Sequence, residues 1–156
     1  MATTRTVLDL TGLLTHAGHV LATRLTAALE EIALTPRMQC VLTHALDRDR
    51  TQIELAELAH LDKTTMVATV DELERAGYAV RRPSETDRRA RIIAVTPEGR
   101  KVAAAGQEIV DRVHRDVLAT LGGGSDGFVE ALAQLVDGPL ATAVESGRGV
   151  RRSRVR

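Results

Sequence analysis

Apolar residues return at intervals of three and four along most of the chain, and this spacing predicts a mainly α-helical protein. A first helix is predicted over residues 7–32, a second over 37–45 and a long later helix from 97 to about 121. The first helix carries more apolar surface than a small domain can cover alone. We therefore expect part of it to be buried against a second subunit.

The central stretch, residues 51–96, begins with a pattern that predicts two short helices joined by a tight turn. Thr51 and Glu54 have the spacing of a capping box, in which each side chain accepts a hydrogen bond from the other residue's backbone N–H. Asp62 is a good N-cap for the second helix, and Gly77 can end that helix in a left-handed conformation. Two helices joined this closely predict a helix-turn-helix, whose second helix can enter a DNA major groove.

A two-stranded hairpin is predicted directly after the second helix. Residues 78–82 and 91–95 are rich in β-forming side chains and bracket a polar tip at 83–90. A hairpin that follows a recognition helix makes the whole element a winged helix.

A run of glycines at 122–124 predicts a break after the long later helix. Ser125 or Asp126 is expected to cap a last helix, whose apolar residues include Phe128 and Leu132. The end of the chain, residues 147–156, has five arginines and no acidic residue, and it is expected to be disordered.

The composition is that of a soluble protein with a real core. The chain has 156 residues, 44% of them apolar and 27% charged, which fits one domain or a small domain with helical extensions. No apolar run approaches the roughly 20 residues needed to cross a bilayer, and the first residues lack the apolar core of a signal peptide. The single cysteine, Cys40, excludes an intrachain disulfide. We expect a cytoplasmic protein with no membrane partner and no cofactor.

Positive charge is concentrated although the formal net charge is zero. Five arginines and only two acidic residues lie between Arg81 and Arg91, and the tail adds five more arginines. Such clustering suits an anionic partner that meets one surface. The only aromatic residues are Tyr78 and Phe128, so stacking on single-stranded bases is disfavoured and duplex DNA is the expected partner.

Several segments resemble the MarR family of winged-helix transcription regulators. They are Leu34-Thr-Pro-Arg-Met-Gln39, Leu73-Glu-Arg-Ala-Gly77, Arg81-Arg82, Asp87-Arg-Arg-Ala-Arg91 and Val95-Thr-Pro-Glu-Gly99. The resemblance spans residues 34–101, and its most specific part is the D-R-R-A wing followed by V-T-P-E-G. It implies a mainly α fold with a small β-hairpin wing, in which a winged helix-turn-helix is flanked by N- and C-terminal dimerisation helices. The implied divisions are an N-terminal dimerisation helix at 1–34, a winged helix-turn-helix DNA-binding domain at 35–100, C-terminal dimerisation helices at 101–146 and a basic tail at 147–156.

The candidate DNA-binding residues lie at the starts of the two short helices and on the wing. Short polar side chains on the second helix can approach base edges, with Ala68 and Thr69 placed opposite its apolar stripe. Arginines at the wing tip suit the negative potential of a narrow minor groove. In the family the wing has this role, and the aspartate that matches Asp87 helps to hold the tip arginines. The full set is Thr51, Gln52, Lys63, Thr64, Thr65, Ala68, Thr69, Arg82, Asp87, Arg88, Arg89 and Arg91.

The second helix lacks the side chains that most often read bases. It has no Arg, Asn or Gln before Arg75, so bidentate recognition of guanine or adenine is not predicted. We therefore expect sequence specificity to depend more on contacts with thymine methyl groups, on Gln52 and on DNA shape.

Effector, metal and redox chemistry each have only a few candidate residues in the sequence. The resemblance implies an effector pocket near the first helix, for which His16, His19 and Arg37 are candidates. His16 and His19 have the spacing that can begin a metal site, although no Cys/His cluster of structural-zinc spacing exists and no metal ligand is assigned. Cys40 invites a redox-sensing hypothesis, but a buried and inert thiol is the commoner outcome. No enzyme motif is present in the sequence, so no catalytic residue is assigned.

The sequence therefore predicts a homodimeric, sequence-specific regulator that binds an inverted-repeat operator and is released by a small-molecule effector. We expect a repressor rather than an activator, because members of the family are most often repressors. Two alternatives stay open. The balanced charge and the acidic Asp71, Glu72 and Glu74 allow a winged-helix protein-interaction module, and the histidines allow a metal-responsive regulator.

Overall fold

The computed structural model describes residues 9–85, 87 and 89–141, and it divides into two compact units between Arg115 and Asp116. The first unit holds four helices, most of a fifth and an antiparallel hairpin, so the predicted fold class is confirmed. The elements are α1 Leu10–Glu30, α2 Pro36–Asp47, α3 Gln52–Leu58, α4 Lys63–Arg75, β1 Ala79–Pro83, β2 Arg91–Val95, α5 Pro97–Ala119, a 3-10 helix Gly122–Gly124 and α6 Ser125–Asp137.

Side-chain caps fix the starts of the central helices. The Thr35 hydroxyl accepts a hydrogen bond from the Met38 backbone N–H at 3.2 Å and begins α2. At α3 the predicted capping box is complete: the Glu54 N–H donates to the Thr51 hydroxyl at 3.2 Å, and the Thr51 N–H donates to the Glu54 carboxylate at 2.7 Å. These caps satisfy backbone donors that have no partner inside the helix.

The hairpin is attached on both sides to the helix-turn-helix. Gly77 has a φ of +77° and turns the chain from α4 into β1, which pairs with β2 from Ala79 opposite Val95 to Pro83 opposite Arg91. The residue pair Thr51 and Ile92 forms a further antiparallel bridge, and the Ile93 N–H donates to the Arg50 carbonyl at 3.2 Å. The wing is therefore continuous with the segment that leads into α3.

The core of the first unit lies between α2, α4, the hairpin and the start of α5. Its buried apolar residues come from every element of that unit. They are Leu29, Leu34, Met38, Val41, Leu42, Ala45, Leu55, Met66, Val70, Leu73, Ala79, Ile93, Ala103 and Ile109. Full burial of an aliphatic side chain stabilises a fold by roughly 1.5–3 kcal/mol, so this cluster fixes the orientation of α4 relative to the wing.

Three expectations need correction or restriction. The predicted cap at Ser125 or Asp126 is wrong, because α6 starts at Ser125 itself after Gly124 and has no side-chain cap hydrogen bond. The first helix ends at Glu30 rather than at 32, since Ala33 adopts a left-handed φ of 56°. Residues 7 and 8 of the predicted helix, and the basic tail at 147–156, lie outside the described residues.

Apolar side chains stay exposed on helices of both units. On α1 these include Leu10 and Leu13, and on α6 they include Phe128, Val129 and Val136. Among the described helices, none combines the length and the apolar character needed to span a membrane.

Candidate nucleic-acid interface

The second helix of the helix-turn-helix, α4, is anchored at its start by Asp62. The Asp62 carboxylate accepts hydrogen bonds from the Thr65 N–H at 2.9 Å and from the Thr65 hydroxyl at 2.6 Å. Met66, Val70 and Leu73 are fully buried and hold the inner face of α4 against the core. The first turn and the outer face of α4 stay accessible to solvent.

The outer face of α4 contains most of its candidate DNA contacts, with one correction. Lys63, Thr64 and Ala68 are exposed, as expected. The placement of Thr69 opposite the apolar stripe is wrong. Thr69 is only 1% exposed, and its hydroxyl donates to the Thr65 carbonyl at 2.8 Å. The physical reason is its position three residues after Met66 and four before Leu73, which puts it on the buried stripe.

The wing tip is organised by Asp87. Its carboxylate accepts a hydrogen bond from the Arg89 backbone N–H at 2.9 Å, and its own N–H donates to the Ser84 hydroxyl at 3.3 Å. The Arg89 side chain is exposed at the tip. Arg88 lies outside the described residues.

Arg82 and Arg91 are the other two predicted DNA-binding arginines of the wing. Arg82 forms an exposed ion pair with Asp49, on the segment before α3. Arg91 is exposed at the start of β2, and its guanidinium donates to the Ala90 carbonyl at 3.4 Å. The Asp49 pair reduces the charge that Arg82 can offer a phosphate.

The start of α3 and the wing tip line one shallow cavity of about 380 Å³. The structure thereby brings together five candidates that are up to forty residues apart in the sequence. Its lining comprises Thr51, Gln52, Ile53, Asp87, Arg89, Ala90 and Arg91. Ile53 is 73% exposed here, which is unusual for a large aliphatic side chain.

Arg81 has the most hydrogen bonds and ion pairs of this region, although it was not among the site residues predicted from the sequence. Its guanidinium forms ion pairs with Asp71 at 2.6 Å and with Glu74, and it donates to the Gln52 side-chain oxygen at 3.3 Å. It also reaches the Val67 carbonyl at 3.4 Å. One arginine on β1 therefore ties the wing to both helices of the helix-turn-helix. Two carboxylates three residues apart on α4 were a signal for such a partner.

The two helix caps make the helix-turn-helix sensitive to acid. Hydrogen bonds from the backbone and then the side chain of Thr51 lower the pKa of Glu54 below its ordinary value. Hydrogen bonds from the side chain and then the backbone of Thr65 do the same to the pKa of Asp62. Each group is therefore charged more readily in the folded protein than in the unfolded chain.

We expect the caps to lose their stabilising effect at low pH. Because both folded-state pKa values are lowered, the contribution is complete above the ordinary carboxyl pKa of about 4 and is lost as pH falls through the folded values. Urea unfolding should show wild type losing stability faster over this range than the Glu54→Gln, Asp62→Asn double variant. Parallel pH profiles for the two proteins would contradict the assignment.

The candidate effector residues are accessible on two different helices. His16 and His19 are exposed on α1, and Arg37 is exposed on α2. Among the described residues, His, Cys, Asp and Glu side chains form no group of three that could hold a metal ion. Cys40 is half-buried, and burial raises the pKa of its thiol, which disfavours the reactive thiolate.

The fold and this surface define a winged helix-turn-helix protein. A profile of the MarR family matches residues 40–90, from α2 to the wing tip. The prediction that the winged helix resembles the MarR family is therefore confirmed.

Solved structures extend the similarity to nearly the whole chain. A MarR-family transcriptional regulator from Rhodococcus sp. RHA1 is 27% identical with a TM-score of 0.76, over 91% of this chain and 100% of that one. CouR from Rhodococcus jostii RHA1, bound to p-coumaroyl-CoA, is 28% identical with a TM-score of 0.75, over 92% and 100%. The transcriptional repressor CouR bound to a 23-mer DNA duplex is 27% identical with a TM-score of 0.74, over 86% and 99%.

Proposed function

We propose that this protein is a sequence-specific duplex-DNA-binding transcriptional regulator. The observation that carries the proposal is the geometry around Arg81, which connects α4, the start of α3 and the arginine-bearing wing. DNA recognition by a winged helix needs these three elements at fixed positions relative to one another. The similarity to CouR, whose structure with a DNA duplex shares this fold, supports the same reading.

In the proposed complex α4 enters a major groove and the wing reaches the adjacent minor groove. Lys63 and Thr64 on the exposed first turn are placed to contact phosphates or base edges. The Asp87 carboxylate holds the backbone of the wing tip at Arg89. The exposed Arg89 side chain is therefore suited to insertion into a narrow and strongly negative minor groove. Thr51, Gln52 and Arg91 border the same surface and would contact the intervening backbone.

The regulator is proposed to act as a homodimeric repressor. Exposed aliphatic side chains on α1 and the exposed Phe128 on α6 are apolar surface that a second copy would bury. A two-fold dimer requires an inverted-repeat operator, with half-sites about one helical turn, roughly 10 bp, apart. CouR is named a repressor, which supports that sign of regulation for this chain.

A small organic effector is proposed to release the DNA. CouR binds p-coumaroyl-CoA, and this chain aligns with that structure over 92% of its length. His16, His19 and Arg37 are the proposed polar contacts for the effector. A thiol of raised pKa at Cys40 makes oxidation a poorer candidate signal than a bound ligand.

The function is tested by selecting fragmented genomic DNA on the purified protein and sequencing the bound fraction. Enrichment of one inverted repeat, bound with an affinity that falls as salt rises, is the expected result. Enrichment of no sequence, together with binding to another protein that is insensitive to salt, would instead support the protein-interaction module. Light scattering of the same sample tests the dimer.

The Arg89→Ala variant is expected to bind the selected operator about tenfold more weakly at moderate salt. Removing one phosphate or groove contact should also reduce the slope of log affinity against log salt by about 1. Arg89 is exposed and its backbone hydrogen bond to Asp87 survives the change, so the fold should be unaffected. Fluorescence anisotropy with a labelled operator measures both quantities.

Arg112→Ala is the matched control for this experiment. Arg112 is also an exposed arginine, but it lies fifteen residues along α5 from Pro97, about 22 Å along the helix axis. Its loss changes the net charge equally and should leave operator affinity near that of wild type. Equal effects of the two variants would contradict a specific role for the wing.

A further inference from the structure

The outer face of α4 has few polar groups left for reading bases. Thr65 donates its hydroxyl to Asp62, and Thr69 is buried with its hydroxyl bonded to the Thr65 carbonyl. The Asp71 carboxylate is ion-paired with Arg81. Among the described side chains of this face, Lys63 and Thr64 are the polar groups at its start, and Val67 and Ala68 follow them.

Val67 is an exposed aliphatic residue at the centre of this face. It is 37% exposed, whereas its neighbours Met66 and Val70 are fully buried. Its backbone carbonyl accepts a hydrogen bond from the Arg81 guanidinium at 3.4 Å, which ties this turn of α4 to the wing. The apolar surface formed by Val67 and Ala68 is therefore held in place and faces outward.

The major groove offers one apolar feature to such a surface. Each base pair presents a distinct set of donors and acceptors there, but only thymine adds a methyl group, and that methyl is contacted by aliphatic side chains. Gln52, at the start of α3, has an amide that could read adenine, but its side-chain oxygen already accepts a hydrogen bond from Arg81. The remaining chemistry of α4 favours methyl recognition over bidentate hydrogen bonding.

We propose that Val67 and Ala68 determine operator specificity by packing against thymine methyl groups in each half-site. This inference rests on the proposed DNA-binding function and adds the base chemistry that α4 selects. Lys63 and Thr64, at the start of the helix, fix its register through phosphate contacts and contribute little to base choice.

Replacing single thymines of the selected operator by uracil tests the proposal. Uracil keeps every hydrogen-bonding group of thymine and lacks only the methyl. At one or two positions in each half-site the affinity should fall about fourfold, the value expected for losing one buried methyl contact. All other replacements should have no effect.

Two valine variants assign the effect to a residue. In Val67→Ala the uracil penalty at one position should fall to less than twofold, and the helix should persist because alanine favours helix more than valine does. Val80→Ala is the matched control, since Val80 is also exposed but lies on β1, and it should keep the full penalty. A penalty that Val67→Ala leaves unchanged would overturn the role of Val67.

The outcomes separate this inference from the function beneath it. Tight binding to one inverted repeat with no uracil penalty at any position would overturn methyl recognition and leave the DNA-binding proposal intact. No selective binding to any duplex would overturn both.

Discussion

The Gly99→Ala variant is expected to lose about 3 kcal/mol of unfolding free energy, a large share of the stability of a domain this size. A Cβ at Gly99 would lie 1.9 Å from the Tyr78 carbonyl oxygen and 2.8 Å from the Val95 Cγ1. The carbonyl belongs to the backbone, so it cannot rotate away as the end of a side chain could. The start of α5 would have to move from the hairpin.

That movement would break hydrogen bonds as well as packing. The Thr96 N–H donates to the Tyr78 carbonyl at 3.0 Å, and the Thr96 hydroxyl donates to the Gly77 carbonyl at 2.7 Å. The same hydroxyl caps α5 by accepting from the Gly99 N–H at 3.0 Å. Thermal unfolding followed by circular dichroism should show a midpoint lowered by roughly 10 °C.

Gly18→Ala is the control for the general effect of replacing a helical glycine. An added Cβ at Gly18 meets no atom within 4 Å, and alanine favours helix over glycine by up to about 1 kcal/mol. This variant should therefore be as stable as wild type or more stable. A Gly99→Ala protein within about 0.5 kcal/mol of wild type would contradict the close approach of α5 to the hairpin.

Local signals in the sequence were sufficient to predict the elements of the winged helix. Caps such as Thr51 with Glu54, and the left-handed Gly77, involve residues at most a few positions apart, so their spacing can be read directly. The V-T-P-E-G segment was also visible as part of a resemblance. Its physical reason was not visible, because the Tyr78 carbonyl that excludes a side chain at Gly99 is contributed by another element.

Two predictions about the candidate site were incomplete or wrong. One assigned Thr69 to the wrong face of α4, and the other did not include the contacts between α4 and β1. Thr69 was placed on the face opposite the apolar stripe, but its position between Met66 and Leu73 puts it on that stripe and buries it. Asp71, Glu72 and Glu74 were interpreted as an acidic surface that allowed a protein-interaction module. The structure pairs Asp71 and Glu74 with Arg81, so that surface carries less negative charge than the sequence indicated.

Arg81→Ala is the second variant for which a large effect is expected, on stability and on DNA binding together. The Arg81 side chain is 23% exposed and forms charge-assisted hydrogen bonds with Asp71 and Glu74. These carboxylates are partly exposed, which reduces the contribution, and we expect a loss of about 2 kcal/mol. Arg82→Ala, at the neighbouring position, is the comparison. It removes only an exposed ion pair with Asp49 and should lower the unfolding free energy by less than about 1 kcal/mol.

Operator affinity of Arg81→Ala should fall at least about tenfold, for two physical reasons. The start of α3, α4 and the wing lose the side chain that connects them, so the bound geometry is no longer fixed in advance. Two carboxylates on α4 also lose their counter-charge and repel nearby phosphates. Only the second effect is electrostatic, and only that effect should weaken as salt screens the charges.

Neutralising the carboxylates separates the two effects. In the Arg81→Ala background, Asp71→Asn with Glu74→Gln removes the repulsion but cannot restore the connection between α4 and β1. We therefore expect affinity to recover in part at low salt and little at high salt, when measured by anisotropy on the same operator. Full recovery would show that Arg81 acts through charge alone. An affinity for Arg81→Ala equal to that of wild type would show that the connection is not needed for binding, because the core alone then positions α4 well enough for DNA.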